Sequence, residues 1–281
     1  MASFVDPWGV EVFYDVYPVA HPRAIVLLCH GLGEHAGRYT HIAAALNSAG
    51  YAAYAPDLRG HGRTGVKQHD SNPDMLGHLG PGGVAAALDN ITQLTEIIRG
   101  EHPDAHIVLL GHSMGSIYAQ KLINTRAADY AGVVLTGTCY RAPGYMNAGN
   151  LNKNFAIPGG TGHEWLSREP EVWKQFAADD WCFKADTLKL FGLNNSLQLF
   201  GTPSREMAEV PILMMIGEHD PLGGEKSVLK LANAYTHKAK QTDVTVIVYP
   251  GARHEVFNET NRQEVIDDLI AWLTAHLPDA D

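Results

Sequence analysis

Short apolar runs alternate with longer amphipathic segments along most of this 281-residue chain, and few architectures accept that order. The runs at 24–29, 51–56, 107–110, 132–135, 211–216 and 244–249 have strand length and little polar alternation, as strands buried on both faces do. Helix-like segments lie between them at 39–48, 84–98, 114–124, 226–235 and 261–276. In the second of these, Val84, Leu88, Ile91, Leu94, Thr95 and Ile98 recur at spacings of three and four, which is one face of a helix. Strands alternating with helices predict an α/β fold with a mostly parallel central sheet flanked by helices. An earlier run, 10–16, is followed by only a short Tyr17-Pro-Val-Ala-His-Pro22 connection and is expected to enter the sheet as an antiparallel hairpin.

The rhythm stops between about 138 and 205. That stretch opens polar and Gly-rich at 144–162 and is dense in aromatic side chains, Trp165, Trp173 and Trp181 among them. Long excursions between core strands tend to be functional. We therefore expect residues 138–205 to form an inserted lid, or cap, on a core of residues 1–137 and 206–281. Composition narrows the partners. Hydrophobic residues at 45% and charged residues at 19% exclude a disordered chain. A net charge of −10 with no Lys/Arg cluster argues against nucleic acid. Cys29, Cys139 and Cys182 fit neither a CxxC pair nor a disulfide framework. No stretch approaches the roughly 18 apolar residues of a membrane helix. The start, Met1-Ala-Ser-Phe-Val-Asp-Pro-Trp8, has no basic n-region or apolar h-region. A cytoplasmic location, with peripheral membrane contact allowed, is the expectation. Oligomeric state is left open.

Gly111-His112-Ser113-Met114-Gly115 falls where one strand ends and an amphipathic helix begins. A nucleophile there needs a sharp strand-to-helix turn that strains its backbone and holds its hydroxyl out. Serine is a weak nucleophile at neutral pH and requires a base and a group to orient that base. On a parallel sheet these come from later strand ends, in the order Ser, acid, His. Asp220 follows the run 211–216, and His254 follows the last run, 244–249. Both positions lie at the carboxyl edge of the sheet, where α/β proteins bind ligands. Glu218 is the alternative acid; its other reading is a solvated loop charge. The expected catalytic set is Ser113, Asp220 and His254. Two oxyanion donors are expected from the N–H groups of Met114 and of Leu32, which is flanked by Gly31 and Gly33. His30 is read as a brace for that loop.

These strings together resemble the monoacylglycerol lipase and lysophospholipase branch of the α/β-hydrolases, in its bacterial form. The resemblance rests on His30-Gly-Leu-Gly-Glu-His-Ala-Gly-Arg-Tyr39, Asp57-Leu-Arg-Gly-His-Gly-Arg63, the serine pentapeptide, Gly217-Glu-His-Asp220 and Arg253-His254. It covers roughly residues 10–137 and 206–277. It implies a cofactor-free serine esterase acting on monoacylglycerols, with a lid that binds the acyl chain and makes transient contact with a membrane or micelle. It also assigns Glu34 and Arg38 to the glycerol headgroup; their other reading is an ion pair holding the loop to the next helix. A short- to medium-chain carboxylesterase or a lysophospholipase remains the alternative on the same triad. The chain departs from the family at Ser116, where a second glycine is common, and across most of 138–205, where only Trp165-Leu-Ser-Arg168 and Asp179-Asp-Trp-Cys182 align. Glu255 is assigned a helix-cap or surface role; its other reading is contact with a substrate.

Other classes explain less. Gly31-x-Gly33-x-x-Ala36, with Asp57 about twenty residues on, outlines a dinucleotide fingerprint, yet it leaves Ser113, Asp220 and His254 without a role. The string from Asp57 to Arg63 reads better as a loop whose charges brace one another. Neither His163-Glu164 nor His254-Glu255 continues to HExxH, so no metal is expected.

Overall fold

Eight strands hydrogen-bond into one sheet in a computed structural model that describes residues 2–147 and 149–277. In chain order the elements are β1 (Ala2–Val5), β2 (Glu11–Tyr17), β3 (Ile25–Cys29), α1 (Thr40–Ser48), β4 (Ala52–Pro56), α2 (Gly62–Gln68), α3 (Gly83–Glu101) and β5 (Ile107–His112). They continue with α4 (Met114–Arg126), β6 (Gly132–Thr136), α5 (Pro170–Ala178), α6 (Thr187–Gln198), β7 (Ile212–Gly217), α7 (Gly224–Asn233), β8 (Val244–Tyr249) and α8 (Arg262–His276). The spatial order is β1-β2-β4-β3-β5-β6-β7-β8. The six strands from β4 to β8 in that row are parallel, and β1 and β2 run antiparallel at one edge.

Every apolar run predicted as a strand is one. The hairpin differs. β2 turns back on β1, pairing Phe4 with Val12, and its other edge pairs with β4 instead of the next strand in sequence. The short connection after β2 therefore crosses to β3 without a turn between paired strands. β1 is four residues with alternating exposure, too short to read against its surroundings.

Alternate side chains of each buried strand feed two apolar layers. Leu27, Leu109, Leu135 and Met214 pack with Ile91, Leu94 and Ile117 on one face. Val26, Val108, Val134 and Leu213 pack with Ile42, Leu46, Leu269 and Leu273 on the other. These two layers fix the carboxyl ends of β3, β5, β7 and β8 on one rim. The predicted charge bracing is present beside it. Asp57 accepts from Ala36 N–H (2.9 Å) and pairs with Arg63 (2.5 Å), while the fully buried Arg59 pairs with Asp6. Asp57 is thus committed to the protein itself.

Between β6 and β7 the described residues hold α5 and α6 but no strand. α6 breaks at Gly192, where φ is 70°. Asn195 beyond the break accepts from Val84 N–H (3.1 Å) at the start of α3, anchoring the excursion to the core. No helix among the described residues is long and apolar enough to cross a membrane.

Candidate active site

β5 passes into α4 through a single residue, Ser113, at φ 50° and ψ −115°. A side chain at positive φ is strained and persists only where its surroundings over-determine it. Here Ser113 N–H donates to Thr136 O (2.9 Å) across the sheet, and Ile117 N–H donates to Ser113 O (3.1 Å). Gly115 makes the turn possible, because a methyl there would collide with the carbonyls of Cys29 and His30. Ser116, at the position where the family often has glycine, is buried; its Oγ lies 2.6 Å from Ser113 O and 2.9 Å from Thr138 Oγ1. It ties the carbonyl of the strained Ser113 to Thr138.

Asp220 and His254 come from the loops after β7 and β8. His254 Nδ1 and Asp220 Oδ1 are 2.9 Å apart, and the same oxygen accepts from Leu222 N–H at 2.9 Å. His254 is 1% exposed, and its Nε2 has no hydrogen-bond partner among the described residues. The ring faces that of His112, the residue before Ser113, at 4.8 Å between centroids. Glu218 is exposed and accepts from Gly251 N–H (2.8 Å), away from the imidazole. Burial pushes the His254 imidazole down, but Asp220, its hydrogen bond, Glu255 and Glu34 more than reverse this, and the net shift is upward from 6.5. His112 behaves oppositely: burial and the adjacent His254 push it down to about 4. It stays neutral, with Nδ1 on Thr136 Oγ1 at 3.0 Å.

The loop after β3 lies against Ser113. A methyl on Gly31 would stand 3.0 Å from Ser113 Cβ, so Leu32 follows at the edge of the reacting space. His30 braces this loop as expected, with Nδ1 at 2.7 Å from Gly31 O and Nε2 accepting from Leu58 N–H at 2.9 Å. Glu34 is 3% exposed, and its carboxylate is taken up internally. Oε1 accepts from Gly31 N–H and Tyr39 O–H, both at 2.7 Å, and Oε2 pairs with Arg38 at 2.6 Å. The ion pair extends further than the sequence implied. Arg38 forks onto Glu255 at 2.6 and 2.8 Å, with its guanidinium over the Phe176 ring. Glu255 is 4% exposed, which corrects the surface or cap role assigned to it; through Arg38 it joins the loop after β3 to the loop after β8. Arg38 foremost holds the Glu34 carboxyl well below its ordinary value, against the upward push of burial.

The β6–β7 excursion meets both loops. Trp165 packs on His254 at 4.7 Å between rings, Leu166 O accepts from Glu255 N–H (2.8 Å), and Arg168 pairs with Glu259 (2.8 Å). At its other contact Phe183 N–H donates to Gly33 O (3.0 Å), and Asp179 pairs with His35 (2.9 Å). Sequence reasoning missed Trp165 and His112 as neighbours of the imidazole. The position of His112 inside the serine motif was a signal for it; for Trp165 the signal was its place in Trp165-Leu-Ser-Arg168, one of the few strings of 138–205 that align with the family.

Since the His254 imidazole must be neutral to take a proton, kcat/KM is expected to fall on its acid side with a pKa above the ordinary value of about 6.5. Glu255→Gln removes a raising charge and leaves Arg38 less compensated, so that limb should move to lower pH. A pH–rate profile of both proteins checks this, and an upward or absent movement contradicts it.

A strained serine at a strand-to-helix elbow, with an imidazole–carboxylate pair from later strand ends of a mostly parallel sheet, defines an α/β-hydrolase. A family model described as "Serine aminopeptidase, S33" (Hydrolase_4) matches residues 20–261. The chain is 32% identical to the monoacylglycerol lipase of Mycolicibacterium smegmatis, over 98% of this chain and 97% of that one. Among solved structures, a thermostable carboxyl esterase from Bacillus coagulans in complex with glycerol superposes at TM-score 0.84 with 26% identity, covering 98% and 97% of the two chains. The monoacylglycerol lipase of Paleococcus ferrophilus does so at 0.70 and 25%, covering 95% and 99%. The chain belongs to the monoacylglycerol lipase branch of the α/β-hydrolases and is an ester-hydrolysing enzyme.

Proposed function

We propose that this enzyme cleaves monoacylglycerols to a fatty acid and glycerol through an acyl-enzyme on Ser113. One observation carries the mechanism: His254 is held by Asp220 through Nδ1, with Nε2 unpartnered among the described residues, in a ring packed against the residue preceding Ser113. Ser113 Oγ attacks the ester carbonyl carbon while its proton passes to His254 Nε2. Asp220 steadies the imidazolium, and the N–H groups of Leu32 and Met114 receive the oxyanion. Met114 opens α4, so its N–H is among those a helix leaves unpaired. His254 returns the proton to the departing alcohol, and water repeats the attack on the acyl group.

The choice of alcohol is supported by the mycobacterial relative's activity and by the glycerol in the Bacillus coagulans esterase. The test is kcat/KM for medium- to long-chain monoacylglycerols beside matched ethyl esters, with Ser113→Ala as the blank. The glycerol ester is expected to lead by about tenfold, or about 1.4 kcal/mol of transition-state binding. Equal rates, fastest on the shortest chains, would favour the general carboxylesterase reading that the same esterase likeness supports. A lysophospholipid as a further substrate separates the lysophospholipase reading, and an aminoacyl anilide tests the peptidase activity that the matching family model's description names.

We assign Glu34 and Arg38 to bracing the site, because glycerol would have to displace an internal bond to reach either. The excursion spanning 138–205 is proposed to act as a lid that admits lipid. Leu188, Leu193 and Leu197 of α6 are 59%, 63% and 56% exposed, an apolar edge suited to a micelle or membrane surface. Replacing Leu193 and Leu197 by Ser should slow hydrolysis of micellar monoacylglycerol and leave a monomeric short-chain ester unaffected. Unchanged micellar hydrolysis, or an equal loss on both substrates, would remove the docking role.

A further inference from the structure

We infer that His35, Asp179 and Cys182 form a site for Zn²⁺ or a similarly thiophilic divalent ion, linking the β6–β7 excursion to the loop that carries Leu32. One ligand atom from each residue lies within 4.8 Å of the other two, and His35 Nε2 is 2.9 Å from Asp179 Oδ2. Their mutual geometry is set by the backbone. Asp179 and Cys182 stand three apart on a turn closed by Cys182 N–H to Asp179 O at 3.0 Å. Trp181 N–H, inside that turn, donates to Asp179 Oδ1 (2.9 Å), which orients the carboxylate and leaves Oδ2 facing His35. The Trp181 indole packs edge-on against the His35 ring at 5.2 Å, fixing its plane. The three donors therefore arrive from two segments that the rest of the fold already holds together.

An imidazole nitrogen, a thiolate and a carboxylate form a borderline-soft set that suits zinc and disfavours Mg²⁺ and Ca²⁺. With Zn–N of about 2.0–2.1 Å and Zn–S of about 2.3 Å, tetrahedral ligands stand a little farther apart than the present His35–Asp179 contact, so the set closes round an ion after small side-chain shifts. Three protein ligands leave a fourth position for water. Binding transfers the Cys182 thiol proton to solvent and moves the His35 proton from Nε2 to Nδ1, giving up the 3.2 Å bond from Gly37 N–H. Thiolate and carboxylate then bring two negative charges to a dication. Glu34, His112 and Glu255 also cluster, but those carboxylates already hold Arg38. An occupied site would pin residues 179–182 to the loop that carries Leu32.

The test uses the full-length protein with ZnCl₂, scored by equilibrium dialysis and by the rate at which Cys182 reacts with a thiol reagent. Cys29 and Cys139 are buried, so the half-buried Cys182 dominates that rate. We expect one ion bound at micromolar zinc, and protection of Cys182 by Zn²⁺ but not by Mg²⁺. With Co²⁺ a thiolate-to-metal charge-transfer band should appear, and Cys182→Ser should abolish it. Losing a direct ligand should weaken zinc binding by at least the about 10–100-fold that losing a supporting partner costs. No bound ion, an unprotected Cys182 in the unaltered protein, or unchanged affinity in Cys182→Ser would overturn the site; the first two stand whether or not the variant folds. In that case the His35–Asp179 pair is only a tether.

Discussion

Ser113→Ala is expected to lower kcat on a monoacylglycerol by about a million-fold while leaving thermal stability nearly unchanged. Alanine keeps the Cβ that the positive φ already accommodates, and Ser113 N–H still bonds Thr136 O, so the elbow loses only its hydroxyl. The residual rate would come from substrate binding and the proposed oxyanion donors. His254→Ala should lose a comparable factor in kcat but also lose stability, because it leaves the Asp220 carboxylate buried at 4% exposure without its partner. The double variant should be no slower than either single one, since nucleophile and base act as a unit. Single-turnover rates with a chromogenic ester, read beside thermal melts, test both parts. Multiplying losses would mean that the two residues serve separate steps.

Arg38→Ala should have the second largest effect, and it should be indiscriminate. Removing the guanidinium leaves Glu34 and Glu255, both under 5% exposed, facing one another without a cation. Breaking a buried pair of this kind costs about 3–5 kcal/mol. Activity should suffer through two routes: Glu34 fixes the Gly31 N–H of the loop proposed to supply an oxyanion donor, and Glu255 adjoins His254 in the chain. kcat/KM should therefore fall by a similar factor on glycerol and ethyl esters. Less compensated carboxylates also favour the imidazolium, so the acid limb of the pH profile should rise, opposite to Glu255→Gln. Arg38→Lys keeps the charge but not the fork, and partial recovery of stability is expected. A loss confined to glycerol esters would restore Arg38 to direct headgroup contact.

The sheet was legible because parallel strands buried on both faces must be apolar throughout, as in Ile25–Cys29 and Ile107–His112. The positions of Ser113, Asp220 and His254 just past β5, β7 and β8 were legible for a related reason: the carboxyl edge of such a sheet is where α/β proteins bind ligands. Less visible was anything defined by contact alone. Arg38 and Glu255 are 217 residues apart, and no local pattern distinguishes Glu255 from a surface acid. β1 pairs only four residues, and α6 is interrupted at Gly192, so neither displays a sustained period. Trp165 reaches His254 because the backbone around it bonds to the histidine loop, which no spacing encodes.

The central claim is an acyl-enzyme on Ser113, and rapid-quench mass spectrometry during turnover of a monoacylglycerol addresses it most directly. The account predicts the mass of the acyl group on the peptide containing Ser113, appearing within the first turnover and absent from Ser113→Ala. Turnover that leaves Ser113 unmodified, or that continues undiminished in Ser113→Ala, would contradict it.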